Sequence, residues 1–576
     1  MTTAWLLAPI LLPLFAAGLA PSLRRGREWL AGVTPLGALS LGLFGSDGAA
    51  ARLEWLVLGI DLQLDTVGRL LLVMAALVWC AAGFSARSLV RDHTDLAVLF
   101  QVAMAGNLGL VVAADVVTFY VLFAVMTFAA YGLVVHERTP FALRAGRVYI
   151  ALAVVGEVAL LSGLMLAVGA AQGATGFAEV RAALDGASDG GVMLGLLVVG
   201  FAVKAGIMPV HLWLPLAHPA APVPASAVLS GAMIKAGLLG WLRVLPIGEV
   251  ALPVWSQTLI VVGFVTAFLA VVFGLLQSDA KTVLAYSSVS QMGLITVTVG
   301  VALAVPGAGE LAATVAALQA LHHGLAKGAL FLGVGVLGNV ATRHRGPVLV
   351  GMGFAAVSLA GAPLTSGWIA KSAAKTAIDT LPGATAGTVT LLVSLSSVAT
   401  TILLVRLFPL LPRAEADTTT ARWLLWPWAG LLVGVAAGAW TVPVLLGHGG
   451  LLPSLGAGGV WDATWPVLLG LVAVWAWLAV DRRHGTWRPH LPPGDLVVAV
   501  EAAGPPLRAG TRWVSGLFET LNDQRRHLQL VTDRLVRSGG LIERTEEWMT
   551  RWRTAGVLFV LVGGALMVAF VSAAGR

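Results

Sequence analysis

From Val203 to Lys235 the chain reads VKAGIMPVHLWLPLAHPAAPVPASAVLSGAMIK, which places two lysines, two histidines and five prolines inside an otherwise apolar sequence. A charged side chain near a bilayer centre costs roughly 2.5 to 3.5 kcal/mol on insertion scales, so at that depth it marks an ion or proton path more often than a packing accident. The prolines carry the same message for the backbone. Each removes an amide donor and interrupts a helix, which is tolerated at membrane depth only where the freed carbonyls face protein or a watery cavity. The stretch therefore predicts a broken helix with protonatable groups at the membrane midplane, an arrangement typical of transporters.

Composition agrees with that reading. Hydrophobic residues make up 58% of the 576 and charged residues 11%, against roughly 25% charged in soluble domains. The chain is expected to be an all-α polytopic membrane protein. The formal charge of +7 is no sign of nucleic-acid binding, because the basic residues fall in short loops between apolar runs, where membrane topology accounts for them. The single cysteine, Cys80, excludes a disulfide framework, a cysteine zinc site and iron–sulfur ligation within this chain. Redox chemistry would have to reside in another subunit.

Scanning for apolar runs of about 20 residues gives about sixteen candidate spans, among them 28–45, 191–217, 347–380, 462–480 and 554–574. The organisation expected is N-terminal helices over 1–94, a first repeat over 95–247, a second over 255–411, C-terminal helices over 422–490, an amphipathic segment over 491–553 and a last span over 554–576. Loop charges alternate. Arg24, Arg25, Arg27, Arg87, Arg91, Arg138, Arg144, Arg147, Arg343, Arg345, Arg482, Arg483 and Arg488 fall on one side, and Asp47, Glu54, Asp61, Glu179, Asp185, Asp189 and Glu310 on the other. By the positive-inside rule the first side is cytoplasmic, so both termini are expected outside, with the first apolar run retained as a helix. The segment 491–553 interleaves Trp513, Leu517, Leu521, Leu528, Trp548 and Trp552 with arginines and acids at helical spacing. It is expected to lie along the cytoplasmic face as a lateral helix that braces other helices or subunits.

Three stretches together resemble a known family: the broken-helix segment, QSDAKTVLAYSSVSQMG over 277–293, and HHGLAKGALFLGVG over 322–335. They look like the antiporter-like subunits of respiratory complex I, Mrp-type cation/proton antiporters and energy-converting membrane hydrogenases. The likeness covers most of the first fourteen helices. Its broken-helix motif is closer to the hydrogenase and Mrp type, whereas the C-terminal lateral segment is similar in layout to the complex I subunit with a lateral helix. The resemblance implies two inverted five-helix repeats, each with a broken helix, a polar axis along the midplane, and a prokaryotic cytoplasmic membrane.

Carried over position by position, Lys204 matches the buried lysine of the first broken helix. The residue type suits the role, since a desolvated ammonium readily gives up its proton. Lys235 resembles the lysine that continues the axis, and His322, His323 and Lys327 resemble the link into the second repeat; neutral histidines can alternatively cross-bond helices. Lys371, in LAGAPLTSGWIAKSAAK, matches the lysine of the second broken helix, where the resemblance places proton release to the outside. His211 and His218 flank the first break, where they either gate proton access or satisfy unwound carbonyls. Tyr286, Ser287, Ser288 and Gln291 provide either a hydrated polar axis or packing contacts between helices. Asp279 and Lys281 read as a structural loop pair.

One departure matters. Where relatives carry glutamate on the fifth helix in a stretch like F-E-x-M, this chain has Ala124 within FYVLFAVMTFAAYG. That glutamate normally pairs with the broken-helix lysine. The candidate substitute is Glu157 in VYIALAVVGEVALL, the lone carboxylate inside its span. Pairing of Glu157 with Arg147, with a cavity water, or a first half that no longer pumps are the alternatives.

The expected function is a proton- or cation-translocating subunit of a larger membrane complex, coupled to redox chemistry or to an opposing sodium, potassium or proton gradient. Its partners would be other membrane subunits and a cytoplasmic or redox module. Alternatives are the membrane half of a two-component bicarbonate or carbon dioxide uptake system, and a degenerate scaffold. No cofactor, metal or nucleic acid is expected. Without a nucleotide loop, an HExxH helix or a Ser-His-Asp set, the chain is not expected to catalyse covalent chemistry itself.

Overall fold

The computed structural model describes residues 2–484 apart from 24–25, 55–58, 187–189, 413–421, 446 and 448, together with 492 and 494. The expected lateral helix over 491–553 and the last span over 554–574 lie outside the described residues.

The chain opens with α1 (Thr2–Leu19), α2 (Arg27–Val33) and α3 (Pro35–Phe44). The run 28–45, expected as one span, is two helices, because Pro35 has no N–H and starts a new helix at its first turn. A hairpin follows, β1 (Ala49–Leu53) paired antiparallel with β2 (Ile60–Leu64), with Ala49 opposite Leu64. No strand is expected from the sequence there. Then come α4 (Thr66–Ser85), α5 (Arg87–Asp92), α6 (Thr94–Val112), α7 (Val116–Val134), α8 (Pro140–Ala170) and α9 (Phe177–Gly186). Asp65, Asp115 and Thr139 cap α4, α7 and α8 by accepting from a backbone N–H three residues on, which satisfies donors that a helix start leaves open.

The decisive stretch folds as α10 (Gly190–Ala205), α11 (Trp213–Ala220), α12 (Val223–Val228), a π-turn over Leu229–Met233, and α13 (Lys235–Val244). The second half comprises α14 (Pro253–Leu275), α15 (Ala280–Ala302), α16 (Gly309–Asn339), α17 (Thr342–Ala360), α18 (Ser366–Ile378), α19 (Ala384–Leu407), α20 (Arg422–Leu445) and α21 (Ala457–His484). The expected span 347–380 is thus a pair of helices with a break at 361–365, the second interruption of its kind. Among the described residues 10 helices are long and apolar enough to cross a membrane, with shorter apolar helices at Thr3–Leu19, Gly191–Ala205 and Trp423–Gly438.

Helix α15 is the hub. It is buried throughout its apolar window and packs against α14, α16, α19 and α11. Gly263 and Gly293 let α14 and α15 meet backbone to backbone, since a Cβ on Gly293 would stand 2.5 Å from the Gly263 carbonyl oxygen. Long α16, 31 residues, touches α4, α15, α18 and α20 and so joins the two halves. The valines and leucines left outward on α8, α14 and α21 suit a lipid surface.

Candidate functional site

At the first break, α10 ends at Ala205 and Gly206 turns the chain at φ +72°, a conformation that a side chain would strain. The freed backbone groups are taken up by protein. Trp213 Nε1 donates to the Val203 carbonyl at 2.7 Å, Met208 N donates to Thr266 Oγ1 at 3.2 Å, Ser226 Oγ donates to the His218 carbonyl at 2.8 Å, and Lys281 Nζ donates to the Ala221 carbonyl at 2.7 Å. Lys281 therefore braces the break, while Asp279 caps α15; the two serve different elements.

Lys204 sits in the last turn of α10, just before the break, and is buried. Its ammonium donates to Thr127 Oγ1 at 3.1 Å and lies 3.4 Å from the Tyr149 hydroxyl, which itself donates to the Thr127 carbonyl at 2.9 Å. Glu157 lines the same cavity of about 20 Å³ as Thr127, Tyr149 and Lys204, space enough for one water molecule. Helices α8 and α10 come close because Gly200 meets the α8 backbone, where a Cβ would stand 3.0 Å from the Gly156 carbonyl oxygen, and Gly156 leaves room for Val203. The Glu157 carboxylate stands beside the hydroxyls of Tyr120 and Thr127, with neither oxygen in hydrogen-bond geometry to a described residue. Tyr120, Ala124 and Thr127 share one face of α7, at positions i, i+4 and i+7. The carboxylate on α8 therefore faces the side of α7 that also carries Ala124.

A second group runs through the middle. The π-turn before α13 shifts the helix register, and Lys235 Nζ donates back to the Ser230 carbonyl at 2.5 Å. Ser230 Oγ and Ser288 Oγ are 2.7 Å apart, Ser288 Oγ donates to the Leu284 carbonyl at 3.0 Å, and Lys327 Nζ donates to that same carbonyl at 2.9 Å. Three helices are thus joined by one run of polar atoms. His323, fully buried one turn before Lys327, lies within electrostatic reach of both lysines, and neither of its nitrogens has a hydrogen-bond partner among the described residues.

His322 points the other way, toward the second break. Its Nδ1 lies 2.8 Å from Ser366 Oγ, which is 2.9 Å from Ser358 Oγ. Gly361 turns the chain at φ +88°, and Lys371 on α18 donates to the Ala360 carbonyl at 3.0 Å and to Ser397 Oγ at 2.5 Å. Lys204 precedes its break and Lys371 follows its own.

The remaining sequence candidates are placed less uniformly. His218 is fully buried, stacked on Phe331 with ring centroids 4.5 Å apart, its nitrogens without a described partner. His211 is buried with its ring 6.3 Å from that of Tyr286. Gln291 donates to Thr400 Oγ1 at 3.1 Å and so cross-bonds α15 to α19; Ser287 is buried without a described partner for its hydroxyl. Residue type alone does not single out Thr127, Tyr149, Ser230, Ser366 and Ser397, which hold the lysines and His322. Only Ser230 carries a hint, five residues before Lys235 and next to Gly231.

Residues 113–403 match the family described as NADH:quinone oxidoreductase/Mrp antiporter, transmembrane. Hydrogenase-4 component B of Escherichia coli is 31% identical over 291 residues, 48% of this chain and 43% of that protein. A Na(+)/H(+) antiporter subunit of Alkalihalophilus pseudofirmus is 27% identical over 335 residues, 55% of this chain and 66% of that one. The chain thus spans about half the length of several curated relatives it matches. In fold it is similar to a chain of the Mrp complex from Dietzia sp., with a TM-score of 0.72 at 22% identity over 99% of this chain and 69% of that chain. It is also similar to a chain of an archaeal membrane-bound sulfane sulfur reductase, with a TM-score of 0.64 at 20% identity over 82% of this chain and 99% of that chain.

Proposed function

Since the chain belongs to the NADH:quinone oxidoreductase/Mrp antiporter family of membrane proteins, we propose that it is a proton-translocating subunit of a multi-subunit membrane complex, driven by a redox module or by an opposing cation gradient. One observation carries this reading. The hydrogen-bonded run Lys235–Ser230–Ser288–Leu284–Lys327 crosses from α13 through α15 to α16 with its lysines buried. Ionisable groups at such depth are costly unless they work. The Ser230 and Leu284 carbonyls that hold the two amines only accept, so the run fixes the lysines on one polar seam, and His323, within electrostatic reach of both, is the group beside them that can take up and give back a proton.

In this reading residues 95–247 and 255–411 are two inverted repeats, which fits the opposite placement of Lys204 and Lys371 about their breaks. The Glu157–Lys204 pair loads the first half: the carboxylate favours the protonated lysine, and a change in their separation alters how firmly the proton is held. Lys235, His323 and Lys327 carry charge inward, His322 hands it across Ser366, and Lys371 releases it. His211 and His218 flank the uptake side. The lipid bilayer, other membrane subunits and protons are the partners.

Purifying the full chain with an affinity tag from its native membrane in mild detergent, followed by mass spectrometry, tests the assembly. Recovery with further integral membrane subunits and a soluble redox or antiporter partner is expected. A chain recovered alone at full yield contradicts it.

A further inference from the structure

A second cavity of about 20 Å³ opens beside Lys371, lined among others by Gly361, Lys371, Lys375, Ser397, Asp462 and Pro466. Asp462 belongs to α21, outside both proposed repeats. Its carboxylate pairs with Lys375 Nζ at 2.5 Å, with 48% of the aspartate side chain exposed against 16% of the lysine. Lys375 lies one turn beyond Lys371 on α18, so two amines face one cavity and a carboxylate offsets their repulsion. Pro466 has no N–H to give to the Asp462 carbonyl four residues earlier, which loosens α21 at the aspartate.

The position along the membrane normal is also set. Arg345 Nη1 donates to the Pro412 carbonyl at 2.7 Å, so the start of α17 and the end of α19 share a face, the one that carries Arg343, Arg345 and Arg406. Asp462 and Lys375 therefore lie toward the opposite face, where Glu310 and Asp379 fall. In the topology that the positive-inside rule assigns, that is the outer side.

We infer that Asp462 is the outlet carboxylate of the axis: it takes the proton that leaves Lys371 and releases it to the outer solution. The inference rests on the reading of Lys371 as the last buried lysine. In the step, an N–H bond of the Lys371 ammonium breaks as Ser397 Oγ accepts that proton and passes its own on. An O–H bond forms on Asp462, and Lys371 is left as a neutral amine. The Asp462 O–H then ionises to bulk water, which regenerates the carboxylate.

The test uses the intact assembly in vesicles, with proton flux driven by a potassium diffusion potential. Asp462→Asn should lower flux by about 100-fold, the low end of the scale of one positioned proton-transfer group, while Asp462→Glu restores most of it. Lys375→Gln breaks the same ion pair and should leave flux within about twofold of wild type, well inside that scale. Equal losses in Asp462→Asn and Lys375→Gln, or unchanged flux in Asp462→Asn, would reduce Asp462 to a brace and overturn the outlet alone. Unchanged flux in Lys371→Ala would overturn the axis reading and the outlet with it. Should Asp462→Asn fail to accumulate, infrared difference spectra of wild-type vesicles labelled at aspartate decide: a transient carboxylic-acid band supports the outlet, and its absence during flux refutes it.

Discussion

Lys204→Ala is expected to lower proton flux through the assembled complex by about 100-fold, within the range of a lost proton-transfer group, while leaving the amount of assembled protein unchanged. The two consequences separate because the residue does different things for chemistry and for insertion. Its ammonium, held by Thr127 and Tyr149, shares a cavity with the Glu157 carboxylate. Replacing a buried cation by a methyl group makes the span more apolar, which favours membrane insertion. The measurement is acidification-linked dye quenching in vesicles alongside quantitation of the purified complex. Full flux from the variant would remove Lys204 from the path.

Glu157→Gln should cause a comparable defect, about 100-fold, because the amide keeps the shape and removes the charge that favours the protonated lysine. The stronger form of this expectation is a transfer. Glu157 stands beside Tyr120 and Thr127 of α7, on the helix face that also carries Ala124, so Ala124→Glu combined with Glu157→Ala should return flux to within a few-fold of wild type, well inside the cost of losing a proton-transfer group, although each change alone is harmful. Glu157→Ala leaves Lys204 without its counter-charge, and Ala124→Glu alone crowds two carboxylates together. A double variant no better than Glu157→Ala would show that the carboxylate works only from α8, and an unaffected Glu157→Gln would end the pairing.

How much of this is legible in the sequence depends on the kind of residue. Lysines, histidines and prolines announce themselves in an apolar chain, so the first break and the cations around it can be located from residue type, whereas the second break, inside an expected single span, comes only through the resemblance that matches Lys371. Glu157 is legible through an absence, since Ala124 leaves a lysine without its usual counter-charge and one acid remains nearby. Hydroxyls are not. Thr127, Ser230, Ser366 and Ser397 look like the many serines and threonines that back-bond within helices, as Thr296 does to Met292; which of them meets a lysine is settled by how distant helices pack. Asp462 escapes notice because it stands at the edge of the expected span 462–480 and reads as a boundary, whereas α21 begins earlier, at Ala457. The hairpin β1–β2 escapes because AAARL does not alternate and the alternation of IDLQL lasts only five residues beside much longer apolar runs.

The central claim is that protons move along the buried run from Lys235 to Lys327. It is tested most directly by loading vesicles of the intact assembly with a pH-sensitive dye, imposing a potassium diffusion potential and following internal pH in wild type, Lys327→Gln and Lys281→Gln. Lys281 is also a largely buried amine but braces the Ala221 carbonyl outside the run. The account predicts proton flux in wild type and Lys281→Gln and its near-complete loss in Lys327→Gln. Wild-type flux in Lys327→Gln would contradict it.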